Sequence, residues 1–360
     1  MNVTNSFGVE GSCRVLLEVF DITTLPGMYA GNQFKGGQTT IIGAGYNIIP
    51  KTYHDELVIK IKDERIVTVA ENSSEITLDV SAGVVWDDLV KYCVANGFLG
   101  LENMSLIPGS VGAAPVHNIG AYGYEVSDFI ESVYFFDLDS GKESSLDREG
   151  CEFKYRESIF KSKSSYLITK VRFRFIKSQS FLFSRKVLPL CFKEGWDFFR
   201  LMLASISLQR LPTFKIKFKF DAVRDILKLS IIPAKLKRQL VCYIRRRTLH
   251  DPAMVGNSGC FFKCPILDKE EFLTFQKMHP SVEYFKHSLG SVKVSACWLL
   301  KGTNWAGKEV SGVMPDLNKP VVLTNTGCAT PESVRCVASA IQSDVYKKYG
   351  IDIEPEAVFL

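Results

Sequence analysis

Small residues crowd into three short stretches of this sequence, where they could let a bound phosphate or cofactor approach the backbone. Residues 107–115 read IPGSVGAAP, and residues 118–123 read NIGAYG. An earlier stretch, 43–47, reads GAGYN after an apolar run and is, taken alone, more typical of a simple turn. Without a Cβ in the way, backbone N–H groups can reach a phosphate. A Rossmann fingerprint is excluded, because Ile48 stands where its third glycine belongs and the sequence after it reads as extended.

The other reactive side chains form neither a metal site nor a disulfide framework. The five histidines lack metal-ligand spacing, and the ten cysteines include no CxxC pair. The N-terminal sequence MNVTNSFGVEGSCR has no basic patch followed by an apolar run, so we expect no secretory signal and a cytoplasmic protein with reduced thiols. Cys260 differs from the other nine because it follows a flexible GNSG turn, whereas a buried structural role is the simplest interpretation of the rest.

The composition is that of a globular protein, with 46% hydrophobic and 23% charged residues among 360. Such a chain is long for one core and predicts two or three packed lobes. The most apolar stretches, 187–208 and 227–244, are interrupted by charges, so neither predicts a bilayer span of ~20 residues. Basic residues concentrate between 215 and 247. This stripe could be a solvated helix face, a receptor for a small polyanion or a nucleic-acid surface, although no nucleic-acid-binding signature accompanies it.

The pattern of elements predicts an α+β fold. We expect strands at 39–42, 57–61, 66–69, 76–80, 133–136 and 167–175, and helices at 85–96, 269–278 and 330–348. Pro331 directly after Thr330 is typical of a helix start. Residues 177–246 are aromatic, basic and prone to helix, with prolines that interrupt them.

Several of these motifs together resemble one family, the UDP-N-acetylenolpyruvoylglucosamine reductases. The pair IPGSVGAAP and NIGAYG resembles the family's FAD-binding segment, and NSFG at 5–8 and GAGYN at 43–47 resemble its N-terminal motifs. Downstream, FKYRESIFK at 153–161, GNSGCFFK at 256–263, ACWLL at 296–300 and IEPE at 353–356 follow in the family's order. The collinear matches cover nearly the whole chain apart from about 179–234.

The resemblance implies a two-lobed FAD-binding module of the PCMH type followed by an α+β substrate-binding domain. It predicts lobes at 1–70 and 71–178, a divergent basic and aromatic insertion with a connecting helix at 179–247, and the C-terminal domain at 248–360. The implied FAD is non-covalent, since Tyr46 and Asn47 occupy the region where related oxidases attach flavin to a histidine. The implied cofactor-binding residues are Gly43, Ala44, Gly45, Tyr46, Asn47, Ile107, Pro108, Gly109, Ser110, Gly112, Ala113, Asn118, Gly120, Ala121 and Gly123.

The family uses NADPH to reduce UDP-N-acetylglucosamine enolpyruvate to UDP-N-acetylmuramate for peptidoglycan, and the resemblance assigns three catalytic residues here. Arg156 would bind the substrate carboxylate, because a guanidinium can donate two parallel hydrogen bonds to it. Cys260 would donate the proton, a thiol being a stronger acid than an alcohol. Glu356 would position or polarise the intermediate with Arg156. The implied substrate-binding residues are Tyr155, Arg245, Arg247, Asn257 and Lys263.

The departures from the family pattern fall on the substrate side. Thr248 stands at a substrate-binding lysine, Cys264 stands at an asparagine, and the mobile Tyr-Gly-Asp loop has no clear counterpart near 218–221. A second interpretation therefore remains beside the active reductase, namely a flavin-binding paralogue with an altered substrate or no catalysis. A nucleic-acid-binding protein is the third alternative. We expect UDP-sugar and NADPH as partners of a monomer, with no metal and no nucleic acid.

Overall fold

The structure is a computed structural model that describes residues 1–34, 39–178, 232–287 and 290–360. The described helices are α1 Leu25–Ala30, α2 Trp86–Ala95, α3 Ala113–Val116, α4 Ile159–Ser162, α5 Ala234–Thr248, α6 Lys269–Met278, α7 Ala296–Lys301 and α8 Pro331–Tyr349. The strands are β1 Ser12–Val19, β2 Thr39–Ile42, β3 Ile48–Ile49, β4 Tyr53–Ile61, β5 Ile66–Glu71, β6 Glu75–Ser81, β7 Phe98–Leu99, β8 Gly120–Ala121, β9 Tyr124–Glu125, β10 Ile130–Asp137, β11 Lys142–Asp147, β12 Tyr166–Lys177, β13 Asn257–Cys260, β14 Ile266–Leu267, β15 Tyr284–Lys286, β16 Val292–Val294, β17 Val313–Pro315, β18 Val322–Asn325 and β19 Val358–Phe359. This mixture confirms the α+β prediction.

The chain divides into two compact units, each assembled from separate parts of the sequence. The first unit comprises residues 1–17, 36–59 and 249–360, and the second comprises 18–35 and 60–248. The C-terminal third thus packs with the N-terminal segment and the first glycine loop. Residues 179–231 lie outside the described residues. They include the apolar stretch 187–208, the beginning of the stretch 227–244 and the segment near 218–221. The domain boundaries expected from the sequence stay a prediction.

The second unit is built on an antiparallel sheet with the strand order β11-β10-β12-β6-β5. Strand β12 explains how it forms, because its side chains alternate in type. Val171, Phe173 and Phe175 are buried, whereas Arg172 and Arg174 between them face outward. Period-2 alternation of this kind gives a sheet one apolar face and one polar face. The apolar face packs against α2, where the rings of Trp86 and Phe173 lie 6.4 Å apart.

The polar face of the same sheet is cross-linked by ion pairs between neighbouring strands. Asp79 on β6 binds Lys170 at 2.7 Å and Arg172 at 2.6 Å, both on β12. Burial alone would raise the pKa of the Asp79 carboxyl, but hydrogen bonds and charge from Arg172 and Lys170 outweigh burial and hold that pKa below its usual range. The ionised carboxylate is therefore stabilised by the folded sheet.

The first unit has an extended core where α6, α7 and α8 pack with short strands, and a smaller buried cluster of Val3, Cys13, Ile42 and Val58. Helix α8 begins at a capping box in which the Thr330 hydroxyl accepts a hydrogen bond from Ser333 N, and it ends at Gly350 with φ +66°. Its buried positions Val334, Val337, Ala338 and Ile341 follow the spacing of one helical face. Phe261 and Phe262, which directly follow β13, are fully buried in this core and so fix the end of that strand.

Most expected elements are confirmed, with small shifts at their ends. The helix expected at 269–278 has those bounds, and that expected at 330–348 runs from Pro331 to Tyr349. The helix expected from Val85 begins one residue later, because Val85 is its N-cap and has extended backbone, with φ −64° and ψ 127°. In the part of the chain that the structure describes, no helix is long and apolar enough to cross a membrane. The nine cysteines found there are all free.

Candidate functional site

In the first unit, the glycine loop 43–47 joins β2 to β3 and lies directly against the N-terminal segment. Gly45 has φ +83°, and a Cβ built there would lie 2.3 Å from the carbonyl oxygen of Thr4. The Ser6 amide donates to the Gly45 carbonyl at 2.8 Å. Both the backbone angle and the lack of space require glycine at this position. The loop thus has its conformation fixed from one side by residues 4–6.

Cys260 ends β13 on a second loop of the same unit, and its side chain is exposed. The buried Asn257 shapes this loop: its amide nitrogen donates to the Val255 carbonyl at 2.7 Å, and its amide oxygen accepts from Gly259 N at 2.9 Å. Gly259 has φ +75°, and β13 pairs with β18 through Cys260 and Val322. Both the nitrogen and the oxygen of the Asn257 side-chain amide are bonded within its own loop, which favours a role in shaping the loop over contact with the substrate.

Glu356 is held beside this loop and beside the glycine loop by its main chain. Its amide donates to the Phe261 carbonyl at 2.7 Å, and its carbonyl accepts from the Asn47 side chain at 3.0 Å. Val358 N then donates to the Asn47 carbonyl at 2.9 Å, where β19 pairs in parallel with β3. The structure therefore brings together the glycine loop, the strand that carries Cys260 and the segment that carries Glu356.

Lys263, expected to bind substrate, is bonded to the segment that carries Glu356. Its amide donates to the Glu354 carbonyl at 2.9 Å, and its ammonium lies 3.2 Å from the Glu354 carboxylate. Burial raises the pKa of the nearby Cys264 thiol. Cys264 also packs against the core of the unit, which indicates a neutral, half-buried side chain where the family has an asparagine.

In the second unit, residues 107–113 run alongside the turn that precedes α2. Trp86 N donates to the Gly109 carbonyl at 3.0 Å, and Gly112 N donates to the Ala82 carbonyl at 2.9 Å. Gly109 has φ +130°, and a Cβ there would meet nothing within 4 Å. This open backbone suits the close approach of a cofactor and fits the dinucleotide that the sequence predicts. Ile107, Pro108 and Ser110 flank it, and Ala113 begins α3.

The second small-residue stretch contains strained backbone. Among the residues described, seven other than glycine have positive φ, and Leu106, Asn118, Tyr122 and Arg156 are four of them. Such conformations persist only where surrounding contacts impose them, and they concentrate at functional sites. Asn118 is fully buried and holds its own turn, donating to the Glu125 carboxylate at 2.9 Å and accepting from Ser127 N at 3.2 Å. Gly120 and Ala121 form β8, and Gly123 completes the turn into β9 with φ +89°.

Arg156 is braced against that stretch. Its guanidinium donates to the Asn118 carbonyl at 3.3 Å and to the Gly120 carbonyl at 2.9 Å. The guanidinium also lies 5.2 Å from the centre of the Tyr155 ring. These contacts fix the orientation of a cationic group next to the predicted flavin segment. Arg156 and Tyr155 belong to the second unit, whereas Cys260 and Glu356 belong to the first.

Helix α5 carries Arg245 and Arg247, and the two side chains lie in different surroundings. Burial raises the pKa of the Tyr122 hydroxyl, and the charge of Arg245 opposes that rise, so Arg245 lies near the NIGAYG stretch. The Arg247 guanidinium instead lies 4.5 Å from the centre of the Tyr243 ring, and the residue is exposed. Thr248 donates its hydroxyl to the Ile244 carbonyl at 2.9 Å. Arg245 is thus better placed than Arg247 to act with the predicted flavin segment.

Two ion pairs that the sequence did not indicate attach α5 to the rest of the second unit. Arg238 binds the Asp87 carboxylate through two nitrogens, at 2.7 and 2.8 Å, and Asp87 also accepts from Leu106 N at 2.7 Å. Lys237 lies 3.6 Å from Glu102, and both side chains are buried. Because Arg238 and Arg245 are seven residues apart, they share a helical face. Lys237 and Arg238 are therefore engaged within the unit and do not belong to a solvated helix face, whereas Arg246 and Arg247 on the same helix are exposed.

Comparisons with known proteins point to one family. Residues 32–146 match the family model of an FAD binding domain, and residues 251–360 match that of the UDP-N-acetylenolpyruvoylglucosamine reductase C-terminal domain. The UDP-N-acetylenolpyruvoylglucosamine reductases of Amoebophilus asiaticus and of an Azoarcus species are each 33% identical, covering 98% and 99% of this chain and 95% of their own. A UDP-N-acetylenolpyruvylglucosamine reductase structure from Thermus caldophilus has a TM-score of 0.62 at 18% identity, covering 99% of this chain and 95% of that one.

Proposed function

The chain belongs to the UDP-N-acetylenolpyruvoylglucosamine reductase family, and we propose that it reduces UDP-N-acetylglucosamine enolpyruvate to UDP-N-acetylmuramate for peptidoglycan synthesis. The observation that carries this proposal is the assembly within the first unit. There, direct hydrogen bonds join the glycine loop at Asn47, the strand of Cys260 and the segment of Glu356. These are three of the motifs on which the sequence resemblance depends.

The glycine loop 43–47 of the first unit is proposed as a binding element for non-covalent FAD. Residues 107–123 of the second unit are proposed separately, because the resemblance assigns each of the two segments to the cofactor. Two observations support these assignments. The backbone at Gly109 is open and leaves room for a ligand, and the close contact between Gly45 and Thr4 fixes the conformation of the loop 43–47. When bound, FAD would supply the hydride-transfer chemistry that links NADPH oxidation to reduction of the enolpyruvyl group. We propose NADPH as the reductant and a monomeric, cytoplasmic enzyme with the domain boundaries given above.

Cys260 would deliver the proton to the α-carbon of the substrate. Its thiol is exposed at the end of β13, whereas Phe261 and Phe262 immediately after it are fully buried. The buried rings anchor the strand, so the thiol is held on a fixed backbone rather than on a loose loop. A proton donor needs such positioning to contribute fully to catalysis.

Arg156 would stabilise the negative charge that develops towards the substrate carboxylate. Its two hydrogen bonds to main-chain carbonyls orient the cation before the substrate arrives, and preorganised charge is the most effective form of electrostatic catalysis. Glu356 would position the intermediate from its place beside Phe261. Tyr155, Arg245 and Lys263 are proposed substrate contacts, with Arg245 towards the diphosphate. Arg247 and Asn257 would act in supporting roles.

An anaerobic absorbance experiment tests the reaction. The FAD-loaded protein receives NADPH first and the enolpyruvyl substrate second, and the visible band of the flavin is followed. Bleaching by NADPH and recovery with the substrate are expected, while UDP-N-acetylglucosamine, which lacks the enolpyruvyl group, should give no recovery. Bleaching without recovery would refute the proposed substrate and favour the altered paralogue, and failure to bind FAD would refute the flavoenzyme assignment.

A further inference from the structure

Ser6 occupies an unusual place in the first unit, between the glycine loop and the loop that precedes Cys260. Its hydroxyl lies 2.8 Å from the Tyr46 carbonyl and 2.8 Å from the Asn257 carbonyl. Its amide donates to the Gly45 carbonyl at 2.8 Å, and its own carbonyl accepts from Asn257 N at 2.9 Å. One residue thus makes side-chain and main-chain contacts with both loops.

The residues on either side of Ser6 pack tightly against the glycine loop and against the loop before Cys260. A Cβ at Gly45 would lie 2.3 Å from the Thr4 carbonyl, and a Cβ at Gly256 would lie 2.2 Å from the Phe7 carbonyl. Asn325 donates to the Phe7 carbonyl at 3.1 Å and thereby holds the N-terminal segment from the β18 side. The N-terminal segment therefore contacts both the glycine loop and the loop before Cys260 closely enough to transmit a shift of one to the other.

We propose that Ser6 is a positioning residue that couples occupation of the glycine loop to the conformation of the Cys260 loop. The inference rests on the proposed function for its catalytic consequence, but the coupling itself is a property of the first unit. The hydroxyl carries one proton and faces two carbonyl acceptors, so it can donate to either loop in turn. Filling the glycine loop with flavin would fix which carbonyl it serves and order residues 256–260.

Hydrogen exchange of the backbone amides measures this coupling without any turnover. In the unaltered protein, added FAD should slow exchange both in residues 43–48 and in residues 256–261. In Ser6→Ala, which keeps both main-chain hydrogen bonds, FAD should protect residues 43–48 but no longer slow exchange in 256–261. Ser6→Thr retains the hydroxyl and should restore the protection.

The rates of the two half-reactions give a second readout. A purely structural role of Ser6 would change both rates alike, whereas a positioning role changes only one. In Ser6→Ala, reoxidation of reduced flavin by the enolpyruvyl substrate should slow by about three- to tenfold, the range that one neutral hydrogen bond supports. Reduction by NADPH should stay within about twofold, because that step does not use the Cys260 loop. Ser12→Ala is the matched control, since the Ser12 hydroxyl also donates to a main-chain carbonyl, that of Thr52 at 2.9 Å, away from both loops.

Two results would overturn the inference. One is FAD-dependent protection of residues 256–261 that survives in Ser6→Ala as it does in Ser12→Ala. The other is a Ser6→Thr variant as uncoupled as Ser6→Ala. If Ser6→Ala proves too unstable to purify, Ser6→Cys keeps the size of the side chain with a weaker donor, and unchanged coupling in it would equally refute the role. An enzyme that rejects the enolpyruvyl substrate but retains the coupling would refute only the proposed function.

Discussion

The ion pair between Arg238 and Asp87 gives a quantitative test of how helix α5 is held. Only 15% and 13% of the two side chains are exposed, and the Asp87 carboxylate also accepts a hydrogen bond from Leu106 N. Removing one partner of a buried pair leaves an uncompensated charge and costs about 3–5 kcal/mol. We expect Arg238→Met to lower the free energy of unfolding of the apoprotein by about 3 kcal/mol, the lower end of that range, because Lys91 at 3.7 Å from the Asp87 carboxylate still offsets part of its charge.

The double variant Asp87→Leu/Arg238→Met separates the charge from the hydrogen bond. Replacing a whole buried pair by apolar side chains is often neutral, so most of the loss should be recovered. The amide of Leu106 would still lack its acceptor, which leaves a residual cost of about 1–3 kcal/mol. Each single variant should therefore be less stable than the double variant or equal to it.

The assay is urea unfolding at neutral pH followed by circular dichroism, with an FAD titration of each variant. The matched control is Arg174→Met, because Arg174 forms a 2.7 Å pair with Glu131 in the same unit but is 57% exposed. An exposed pair contributes about 0–1 kcal/mol. The reasoning is refuted if Arg238→Met costs no more than Arg174→Met, or if the double variant is the least stable of the set. Weakened FAD binding is expected as well, since Leu106 precedes the flavin segment.

Three further outcomes are expected. Gly45→Ala should abolish FAD binding because its Cβ would meet the Thr4 carbonyl, whereas Gly27→Ala in α1, with nothing within 4 Å, should bind FAD normally; equal titration curves would contradict this. Cys260→Ala should stop product formation while NADPH still bleaches the flavin, and Cys260→Ser should retain some turnover; loss of both half-reactions would count against the proton-donor role. Because the folded pKa of Asp79 is lowered, its contribution to stability is present above about pH 4 and is lost as the pH falls below that. The native protein should therefore be more stable than Asp79→Asn at neutral pH, and the difference should shrink below about pH 4; a difference that does not change with pH would refute the assignment.

Local signals explain which elements were predictable from the sequence. Helix α6 begins at a capping box formed by Asp268 and Glu271, and α8 follows Thr330 and Pro331, so their starts are encoded within a few residues. The strands of the large sheet reveal themselves by alternation. The motifs also indicated which residue types belong to the site. What spacing could not predict is which segments meet, because such contacts join residues far apart in the chain.

Ser6, Asp87 and Arg238 illustrate that limit. The Ser6 hydroxyl bonds a carbonyl 251 residues away, and the Asp87–Arg238 pair spans 151 residues. An acidic residue in the first turn of a helix is favoured by the helix dipole alone, so the presence of Asp87 at the start of α2 did not indicate an ion-pair partner. Arg238 was one basic residue among many. Only Ser6 had a usable signal, because it lies in the NSFG motif that the resemblance identified without a role.

The strained residues of the second unit show how these distant contacts and the local motif depend on each other. Leu106, Asn118 and Arg156 all adopt left-handed backbone, which costs on the order of 1 kcal/mol or more for each such residue. Each is held by a hydrogen bond from outside the turn: Asp87 accepts from Leu106 N, Ser127 N donates to Asn118, and Arg156 donates to two carbonyls of the flavin segment. The motif supplies residues that tolerate the turn, while the anchors impose it. Variants at the anchors should therefore change cofactor binding even though none of them belongs to the glycine-rich motif itself.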